Sequence, residues 1–188
     1  MEEGPSNIQG KEFYNDLIGT DAGIYGAEPE DIAYYPLWEW FLNKFGYGNI
    51  LDVGCGTGRF ARKAIEKYCS VVGIDFSSVA IEKARKYEPK GKYVCLDVED
   101  PNADIFKLFS YDVVFLSEIL EHVGDDLKLL SQIPKQKHVF LTVPNFKGDG
   151  HVRWFNTLAA VEERYGETLD IKDSRTYRNW YALYGGKR

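Results

Sequence analysis

At 188 residues with a net charge of −6, the chain can bury one substantial hydrophobic core but lacks the basic excess that gripping a nucleic-acid backbone requires. Its first residues lack the basic and apolar regions of a signal peptide, and no apolar run reaches membrane-spanning length, so we expect no membrane association. Cys55, Cys69 and Cys95 are odd in number and lack C-x-x-C spacing, which favours reduced thiols in the cytoplasm over disulfides or a zinc site.

The first part of the chain is predicted to be a helical lid over residues 1–45, and a core over residues 46–188 completes a single domain. Residues 1–10 are polar with Gly and Pro, which is typical of a loosely attached end. An aromatic-rich helix is predicted over residues 30–45, with Pro36 either breaking it or starting its main part. Its exposed aromatic side chains could also serve in a homodimer.

From residue 50 onward, strands and helices alternate. The predicted strands are residues 50–53, 70–75, 93–98, 111–117 and 138–143. The predicted helices are residues 59–67, 78–86, 125–130 and 157–164, with a short turn near 103–108 and with Ser77 or Ser78 and Asn156 as caps. Two final extended segments, 168–177 and 179–185, are almost contiguous and can pair only antiparallel. The sequence therefore predicts five parallel strands and a closing β-hairpin.

A glycine-rich loop follows the first of these strands, in the run Asp-Val-Gly-Cys-Gly-Thr-Gly of residues 52–58. Glycine removes the Cβ atom where a backbone must turn tightly and lie against a ligand. Asp52 places a carboxylate just before the turn, where a cationic group could be held, and a second acid, Asp75, ends the next strand. Strand, glycine loop, helix, strand and terminal acid together indicate a nucleoside-binding βαβ unit.

The spacing of the glycines favours one kind of nucleoside. The dinucleotide fingerprint G-x-G-x-x-G/A needs a third small residue three places after the second glycine, where this chain has Arg59. The third glycine is Gly58 instead, and the resulting D-x-G-x-G-x-G spacing resembles motif I of class I S-adenosylmethionine (SAM) methyltransferases. An NAD(P)-dependent oxidoreductase is the less favoured alternative, because the catalytic Tyr-x-x-x-Lys pattern is also missing.

This resemblance implies an α/β fold, a Rossmann-like three-layer αβα sandwich with a seven-stranded, mostly parallel sheet and a C-terminal antiparallel hairpin strand. It implies SAM as cofactor and S-adenosylhomocysteine (SAH) as product. Gly54 and Gly56 would lie closest to the sulfonium, and the loop through Cys55 and Gly58 would cradle the aminoacyl tail near Asp52.

The resemblance also assigns the nucleoside contacts. Asp75 would accept hydrogen bonds from the ribose hydroxyls, and Phe76 would lie against the adenine unless it only packs at the strand end. Asp97 would take the adenine amino group, with a solvated acidic loop as the alternative, and the backbone of Val98 would meet a ring nitrogen. Ser117 would lie beside the methionine portion.

The candidate catalytic residues lie in segments that follow the fourth and fifth strands. If residues 118–122 begin a helical turn, Glu118, Glu121 and His122 share one face. His122 is a candidate general base, or alternatively a capping or orienting histidine. His151 and Arg153 are expected at a loop rim beside the active face, where Arg153 could pair with an acceptor carboxylate or phosphate, or with local acids at the surface.

A metal-dependent alternative comes from the E-x-x-E-H spacing of residues 118–122. It is similar to the segment that holds a divalent metal in ubiquinone-pathway O-methyltransferases and in small-RNA 3′-end methyltransferases. With His151 as a fourth ligand, Glu118, Glu121 and His122 could bind Mg, Mn or Zn. Only the local spacing agrees, so the preferred interpretation contains no metal.

The preferred interpretation is therefore a SAM-dependent methyltransferase with a small-molecule O, N or C acceptor, because no further substrate domain is evident. An RNA- or protein-directed methyltransferase and a non-catalytic SAM-binding module are the alternatives. One tyrosine, for which we choose Tyr25, would reach the SAM carboxylate. The aromatic residues expected to wall the acceptor pocket, about half of which would be core residues instead, are Tyr14, Tyr25, Tyr34, Tyr35, Trp38 and Trp40.

Overall fold

Nine strands and seven α-helices make up the secondary structure of the computed structural model, which describes residues 2–3, 10–20, 25–100 and 102–188. In chain order the strands are β1 (Glu2–Glu3), β2 (Asn49–Val53), β3 (Ser70–Asp75), β4 (Lys92–Cys95), β5 (Val113–Ser117), β6 (His138–Pro144), β7 (Arg153–Trp154), β8 (Leu169–Tyr177) and β9 (Trp180–Lys187). The helices are α1 (Lys11–Gly19), α2 (Tyr35–Phe45), α3 (Arg59–Glu66), α4 (Ser78–Tyr87), α5 (Ile105–Leu108), α6 (Asp126–Ser131) and α7 (Leu158–Gly166), with a 3₁₀ turn at Pro29–Asp31.

Seven of the strands form one sheet in the order β4-β3-β2-β5-β6-β9-β8. The first five run parallel, while β9 pairs antiparallel with β6 and β8 pairs antiparallel with β9. The separate short pair β1 and β7 is antiparallel. The predicted sheet of five parallel strands and a closing antiparallel hairpin is confirmed.

Helices cover both faces of this sheet because its central strands are buried on both sides. Along β5, Val114 and Leu116 pack on one face, whereas Val113 and Phe115 pack on the other, as the two-residue period of a strand requires. Residues of α5, α6 and α7 complete the first hydrophobic cluster, and residues of α2, α3 and α4 complete the second. The three-layer αβα sandwich is therefore also confirmed.

The closing hairpin turns over two residues, because Tyr177 pairs directly with Trp180. Arg178 occupies the turn with a φ of 51°, in the left-handed region that tight hairpin turns use. The register continues into the sheet, where Trp180 lies opposite Pro144 at the end of β6. This brings an indole ring to the edge of the sheet where the parallel strands end.

Several boundaries differ from the sequence-based expectations. The strand β4 ends at Cys95, so residues 96–98 lie in a loop. Pro36 lies in the first turn of α2 and starts the helix rather than breaking it, since its missing N–H costs nothing there. Asn156 does not cap α7; the cap is Thr157, whose hydroxyl accepts from the Ala160 N–H.

The predictions for the N-terminal end can be compared with the structure only in part. Residues 4–9, which make up most of the end expected to be loosely attached, lie outside the described part of the chain. The division into a lid over residues 1–45 and a core over residues 46–188 stays a prediction. Among the helices that the structure describes, not one has both the length and the apolar character needed to cross a membrane.

Candidate functional site

A cavity of about 530 Å³ opens where the parallel strands end at their carboxyl termini. Its wall includes residues that follow β2, β3, β4, β5 and β6, together with side chains of α1 and α2. Open α/β sheets bind ligands at this edge, and the volume is within the range of small-molecule sites.

The glycine loop forms the floor of this cavity. Gly54 has a φ of 74°, and a Cβ atom placed on it would lie 2.9 Å from Cδ1 of Ile119. The N–H groups of Gly54 and Cys55 both donate to the carbonyl of Ile74, which holds the loop against β3. Gly56, Gly58 and the buried Cys55 belong to the same turn. The loop therefore exposes its backbone to the cavity at Gly54, where a larger side chain would collide with Ile119.

Asp52 contributes an unsatisfied carboxylate to the cavity wall. The residue is only 3% exposed, and its Oδ2 atom has no hydrogen-bond partner. Burial, followed by the negative charge of Asp75, raises the pKa of Asp52 well above its ordinary value. A cationic group bound in the cavity would relieve both effects.

Asp75 ends β3 and is held by the backbone. Its Oδ2 atom accepts from the Gly56 N–H at 2.9 Å, and its Oδ1 atom accepts from the Ser77 N–H at 2.8 Å. Burial raises the pKa of Asp75 above its ordinary value although both hydrogen bonds act in the opposite direction. Each oxygen keeps acceptor capacity for a hydroxyl group in the cavity.

The other residues proposed for the cofactor also lie on this wall. Phe76 packs against Tyr14 at a ring-centroid distance of 5.4 Å, and Val98 is half-buried. Asp97 is exposed and accepts from the Glu99 N–H. Burial and the charge of Asp75 raise the pKa of Tyr25, the residue proposed for the SAM carboxylate, to about 12, which keeps its hydroxyl protonated.

Ser117, at the end of β5, anchors a chain of hydrogen bonds. Its Oγ accepts from the indole N–H of Trp38 at 2.9 Å and lies 3.0 Å from the hydroxyl oxygen of Thr142. The Thr142 hydroxyl in turn donates to Glu118 at 2.8 Å. The end of β5 is thereby tied to β6 and to α2.

Glu118 has a fixed orientation inside the cavity. One carboxylate oxygen accepts from Thr142, and the other accepts from the indole N–H of Trp180 at 2.7 Å. Burial raises the pKa of Glu118 to about 7, while these two hydrogen bonds act in the opposite direction. Neither Thr142 nor Trp180 was predicted from the sequence as a site residue. The only sequence feature that pointed to Trp180 was the tight hairpin, because its register places Trp180 opposite Pro144 at the end of β6.

Glu121 is fully buried on the same wall, and neither of its carboxylate oxygens has a hydrogen-bond partner. Burial and then the charge of Glu118 raise the pKa of Glu121 well above its ordinary value. Both acids also affect Tyr34, whose pKa is raised by burial and then by the charges of Glu118 and Glu121. The two acids and Tyr34 all line the same cavity.

His122 and His151 are neutral neighbours of Glu121. Burial and the proximity of His151 lower the pKa of His122 to about 4. Its Nδ1 atom lies 3.0 Å from the Tyr14 hydroxyl and 3.1 Å from the Gly150 carbonyl. The ring of His151 lies 4.9 Å from the ring of His122, and burial lowers its pKa as well.

The four residues of the metal alternative are only partly brought together. Ligand atoms of Glu121, His122 and His151 lie within 4.8 Å of one another, whereas Glu118 is outside this group and binds Thr142 and Trp180. The helical turn considered for residues 118–122 does not form. Glu118 has a φ of 57°, and residues 120–122 form a non-helical turn.

The sequence predicted that His151 and Arg153 lie at a loop rim. In the structure both residues are buried. His151 is 8% exposed and Arg153 is 3% exposed. The guanidinium of Arg153 donates to the carbonyls of Leu120, Val123 and Gly124, and its Nε lies 3.5 Å from a carboxylate oxygen of Asp126. Arg153 thus supports the turn that carries Glu121 and His122 and is not available to an acceptor.

Of the six aromatic residues proposed for the pocket, four line the cavity and two do not. Tyr14, Tyr25, Tyr34 and Trp38 are on the cavity wall. Trp40 packs against Phe140 in the core instead. Tyr35 is half-buried and donates its hydroxyl to Glu39. Along a helix the side chain facing the cavity changes within one turn, which separates Trp38 from Trp40.

Residues 51–135 match the family described as a methyltransferase domain. The ubiquinone biosynthesis O-methyltransferase of Vibrio parahaemolyticus is 33% identical over 104 residues, which cover 51% of this chain and 43% of that protein. Phosphoethanolamine N-methyltransferase 2 of Caenorhabditis elegans is 36% identical over 89 residues, which cover 46% of this chain and 20% of that protein. The chain thus spans less than half the length of these curated relatives.

Solved structures resemble the chain over most of its length. The 1,6-didemethyltoxoflavin-N1-methyltransferase of Burkholderia thailandensis, solved with SAH, has a TM-score of 0.74 and 14% identity, covering 94% of this chain and 86% of that chain. The N-methyltransferase NodS of Bradyrhizobium japonicum, also solved with SAH, has a TM-score of 0.70 and 14% identity, covering 97% and 99%. At these identities the comparison shows a common fold.

Proposed function

We propose that this chain, in which residues 51–135 match a methyltransferase domain, is a class I SAM-dependent methyltransferase that transfers a methyl group from SAM to a small-molecule O, N or C acceptor. The observation that carries the proposal is one cavity bounded by the glycine loop, the unsatisfied carboxylate of Asp52 and the strand-end carboxylate of Asp75. Relatives named for ubiquinone biosynthesis and for phosphoethanolamine support a small acceptor.

In this proposal each cofactor residue has a role that its surroundings support. Asp52 would hold the ammonium group of the donor, since that charge would satisfy its buried Oδ2 atom. Asp75 would bind the ribose hydroxyls with the acceptor capacity that its oxygens retain. The loop of Gly54, Cys55, Gly56 and Gly58 would lie against the aminoacyl tail. The contacts expected from Phe76, Asp97, Val98, Ser117 and Tyr25 complete the proposed cofactor site.

Glu118, His122 and His151 are the proposed catalytic residues. A methyl group on a sulfonium is already activated, so these residues need only orient the acceptor, exclude water and accept a proton. Glu118 has the more suitable position for proton transfer, because two hydrogen bonds fix its carboxylate inside the cavity. His122 is so weakly basic that orienting the acceptor suits it better.

Calorimetric titration of the full chain with SAH tests the proposal, and one SAH should bind per chain. Asp75→Asn should weaken that binding by tenfold or more, since a hydrogen bond to a charged group contributes about 1.5–3 kcal/mol. Asp97→Asn is the matched control and should lose less, because Asp97 is exposed. Absence of heat with SAH, together with no methyl transfer from labelled SAM to any small-molecule extract, would overturn the proposal.

A second candidate is the same transfer with a bound divalent metal. It is favoured by the clustering of Glu121, His122 and His151 and by the unpartnered oxygens of Glu121. Neutral imidazoles and a carboxylate are suitable ligands for Zn or Mn, so the donor set fits. A bound metal would act as a Lewis acid and lower the pKa of an acceptor hydroxyl. These three residues would hold it, while Glu118 would keep its bonds to Thr142 and Trp180.

Metal removal distinguishes the two candidates. The chain is treated with a chelator and dialysed, and methyl transfer is compared with and without added Mg²⁺, Mn²⁺ or Zn²⁺. Full activity without metal would eliminate the second candidate. Activity that returns only with a metal and is absent in His151→Ala would support it.

We also propose that the chain acts in a reducing cytoplasm, because Cys55, Cys69 and Cys95 are all free thiols. An RNA- or protein-directed acceptor is the alternative within the same chemistry. It receives less support, because the acidic net charge of −6 disfavours a phosphate backbone. A homodimer stays a prediction that sedimentation velocity can test.

A further inference from the structure

The half of the cavity away from the glycine loop combines acids with aromatic rings. We define the aromatic wall as Trp38, Tyr34, Trp180 and Phe146, which contact one another in that order. Their ring centroids are 5.5 Å apart for Trp38 and Tyr34, 5.4 Å for Tyr34 and Trp180, and 5.7 Å for Trp180 and Phe146. All four residues line the cavity.

Two carboxyl groups lie on the same cavity wall, the half-buried Glu118 and the fully buried Glu121. Glu118 is bonded to the aromatic wall directly through the indole N–H of Trp180, and Glu121 lines the same cavity as Tyr34 with both of its carboxyl oxygens unpartnered. Burying a carboxylate without a partner is costly, and a cation is the ligand that removes this cost most fully. Glu121 therefore indicates a ligand that brings positive charge or hydrogen-bond donors.

The cations of the protein itself do not fulfil this role. Among the described residues, Lys11 and Arg59 are the basic side chains on the cavity wall. Lys11 contacts Cys95, and Arg59 donates to the carbonyl of Tyr25 and stacks on Tyr87, all toward the cofactor end. The positive charge of Arg153 also acts on Glu121, but its guanidinium donates to three carbonyls, faces Asp126 and makes no hydrogen bond to Glu121.

From this arrangement we propose that the methyl acceptor is an organic amine that enters as its ammonium form, bound by Glu118 and Glu121 against the aromatic wall. This inference rests on the proposed methyltransferase function and names its substrate class. Ammonium groups are attracted both to carboxylates and to the faces of Trp and Tyr rings. A carboxylate or phosphate acceptor would be repelled by the same residues.

The acids also provide the proton transfer that an amine requires. An ammonium nitrogen has no lone pair, so an N–H bond must break and the proton pass to the carboxylate of Glu118. The freed lone pair then forms the N–C bond to the methyl carbon as the C–S bond breaks and its electron pair goes to sulfur. The nitrogen becomes a methylated ammonium while the sulfonium charge disappears, so the total charge is conserved.

Matched probes test the substrate class with the full chain saturated with SAH. Butylammonium, 1-butanol and butyrate have similar size and differ in charge, and binding is followed by the fluorescence of the wall residues Trp38 and Trp180 and by calorimetry. Butylammonium should bind about tenfold more tightly than 1-butanol, in line with a desolvated cation–π contact and a carboxylate partner. Butyrate should bind most weakly.

Two variants locate the effect. Glu121→Gln should reduce the butylammonium affinity by about tenfold and the 1-butanol affinity by less, because the amide keeps the size of the side chain but cannot ionise to pair with the ammonium. Glu39→Gln makes the same change at an exposed acid outside the cavity and should alter neither affinity. Glu118→Gln is the second variant if Glu121→Gln fails to bind SAH.

The outcomes separate this inference from the proposed function. If SAH does not bind, the methyltransferase proposal fails. If SAH binds but 1-butanol binds as well as butylammonium, only the amine inference is overturned. Turnover of an equimolar mixture of butylamine and catechol should yield only N-methylbutylamine without added metal. Methylation of catechol oxygen that requires Mg²⁺ would overturn the amine inference and favour the metal-dependent candidate.

Discussion

Asp52 and Asp75 show how the same side chain acquires different tasks from its immediate surroundings. Asp75 accepts two backbone N–H groups and is therefore fixed in place, whereas Asp52 is buried with one oxygen unpartnered. A carboxylate with a fixed orientation suits the recognition of hydroxyl groups. A carboxylate without a partner suits a cation. Chemistry at this site is thus decided by hydrogen-bond partners rather than by residue type.

Two glycines of the loop allow the cost of backbone strain to be measured separately from the cost of a steric clash. Gly54→Ala should destabilise the chain by about 2–3 kcal/mol, because a left-handed φ costs about 1–2 kcal/mol and the new Cβ also meets Ile119. Gly56→Ala should cost only about 1–2 kcal/mol, since its φ is also positive but the space beside it is open. Urea unfolding measures both values. Equal losses would mean that the contact with Ile119 relaxes freely.

The turn that carries Glu121 and His122 is held by its neighbours β7 and α6. Arg153 of β7 binds three carbonyls of this turn and faces Asp126 of α6. Asp126 accepts from Arg164 at 2.6 Å and from the Tyr165 hydroxyl at 2.8 Å. The buried carboxylate therefore joins α6, α7 and β7 beneath the acceptor half of the cavity.

Removing this carboxylate should destabilise the fold strongly. Asp126→Asn is expected to cost about 3 kcal/mol at pH 7, because it leaves two arginines without their buried partner. Asp170→Asn is the control, since its exposed ion pair with Lys172 should contribute no more than about 0.5 kcal/mol. Urea denaturation at pH 7 measures both variants. Similar losses in the two would contradict the role given to Asp126.

The same carboxylate predicts an acid dependence of stability. Burial would raise the pKa of Asp126, but the bond from Arg164, the charge of Arg153 and the bond from Tyr165 outweigh it and hold the pKa below its ordinary value. The stabilisation is therefore complete above the unfolded pKa of about 4 and is lost as the pH falls through the lower folded value. Unfolding at pH 7, 5 and 3 should show the stabilities of wild type and Asp126→Asn converging toward low pH.

The cavity is assembled by parts of the chain that lie far apart in sequence. Tyr14 of α1, Trp38 of α2 and Trp180 of β9 meet around the ends of the parallel strands. A ligand that fills the cavity therefore contacts both helical layers and the closing hairpin. Binding should consequently stabilise the whole molecule and not only the glycine loop.

Thermal unfolding with SAH tests this coupling. At about 100 times its Kd, SAH should add about 2.7 kcal/mol of stability. For a chain of this size that corresponds to a rise in Tm of about 5–10 °C. Asp75→Asn should show a smaller rise at the same SAH concentration. A shift with NAD and none with SAH would instead favour the oxidoreductase alternative.

The sequence by itself determined the features that depend on local backbone chemistry. The run of residues 52–58 specifies its own turn, and strand periodicity together with the short final loop gives five parallel strands and an antiparallel hairpin. Only the tertiary structure decided the acceptor half of the cavity. Trp180 bonds to Glu118 across 62 positions, and Arg153, expected at a rim, is buried and donates to carbonyls 29 to 33 positions away. Such contacts depend on how the layers pack, and no spacing within one segment encodes them.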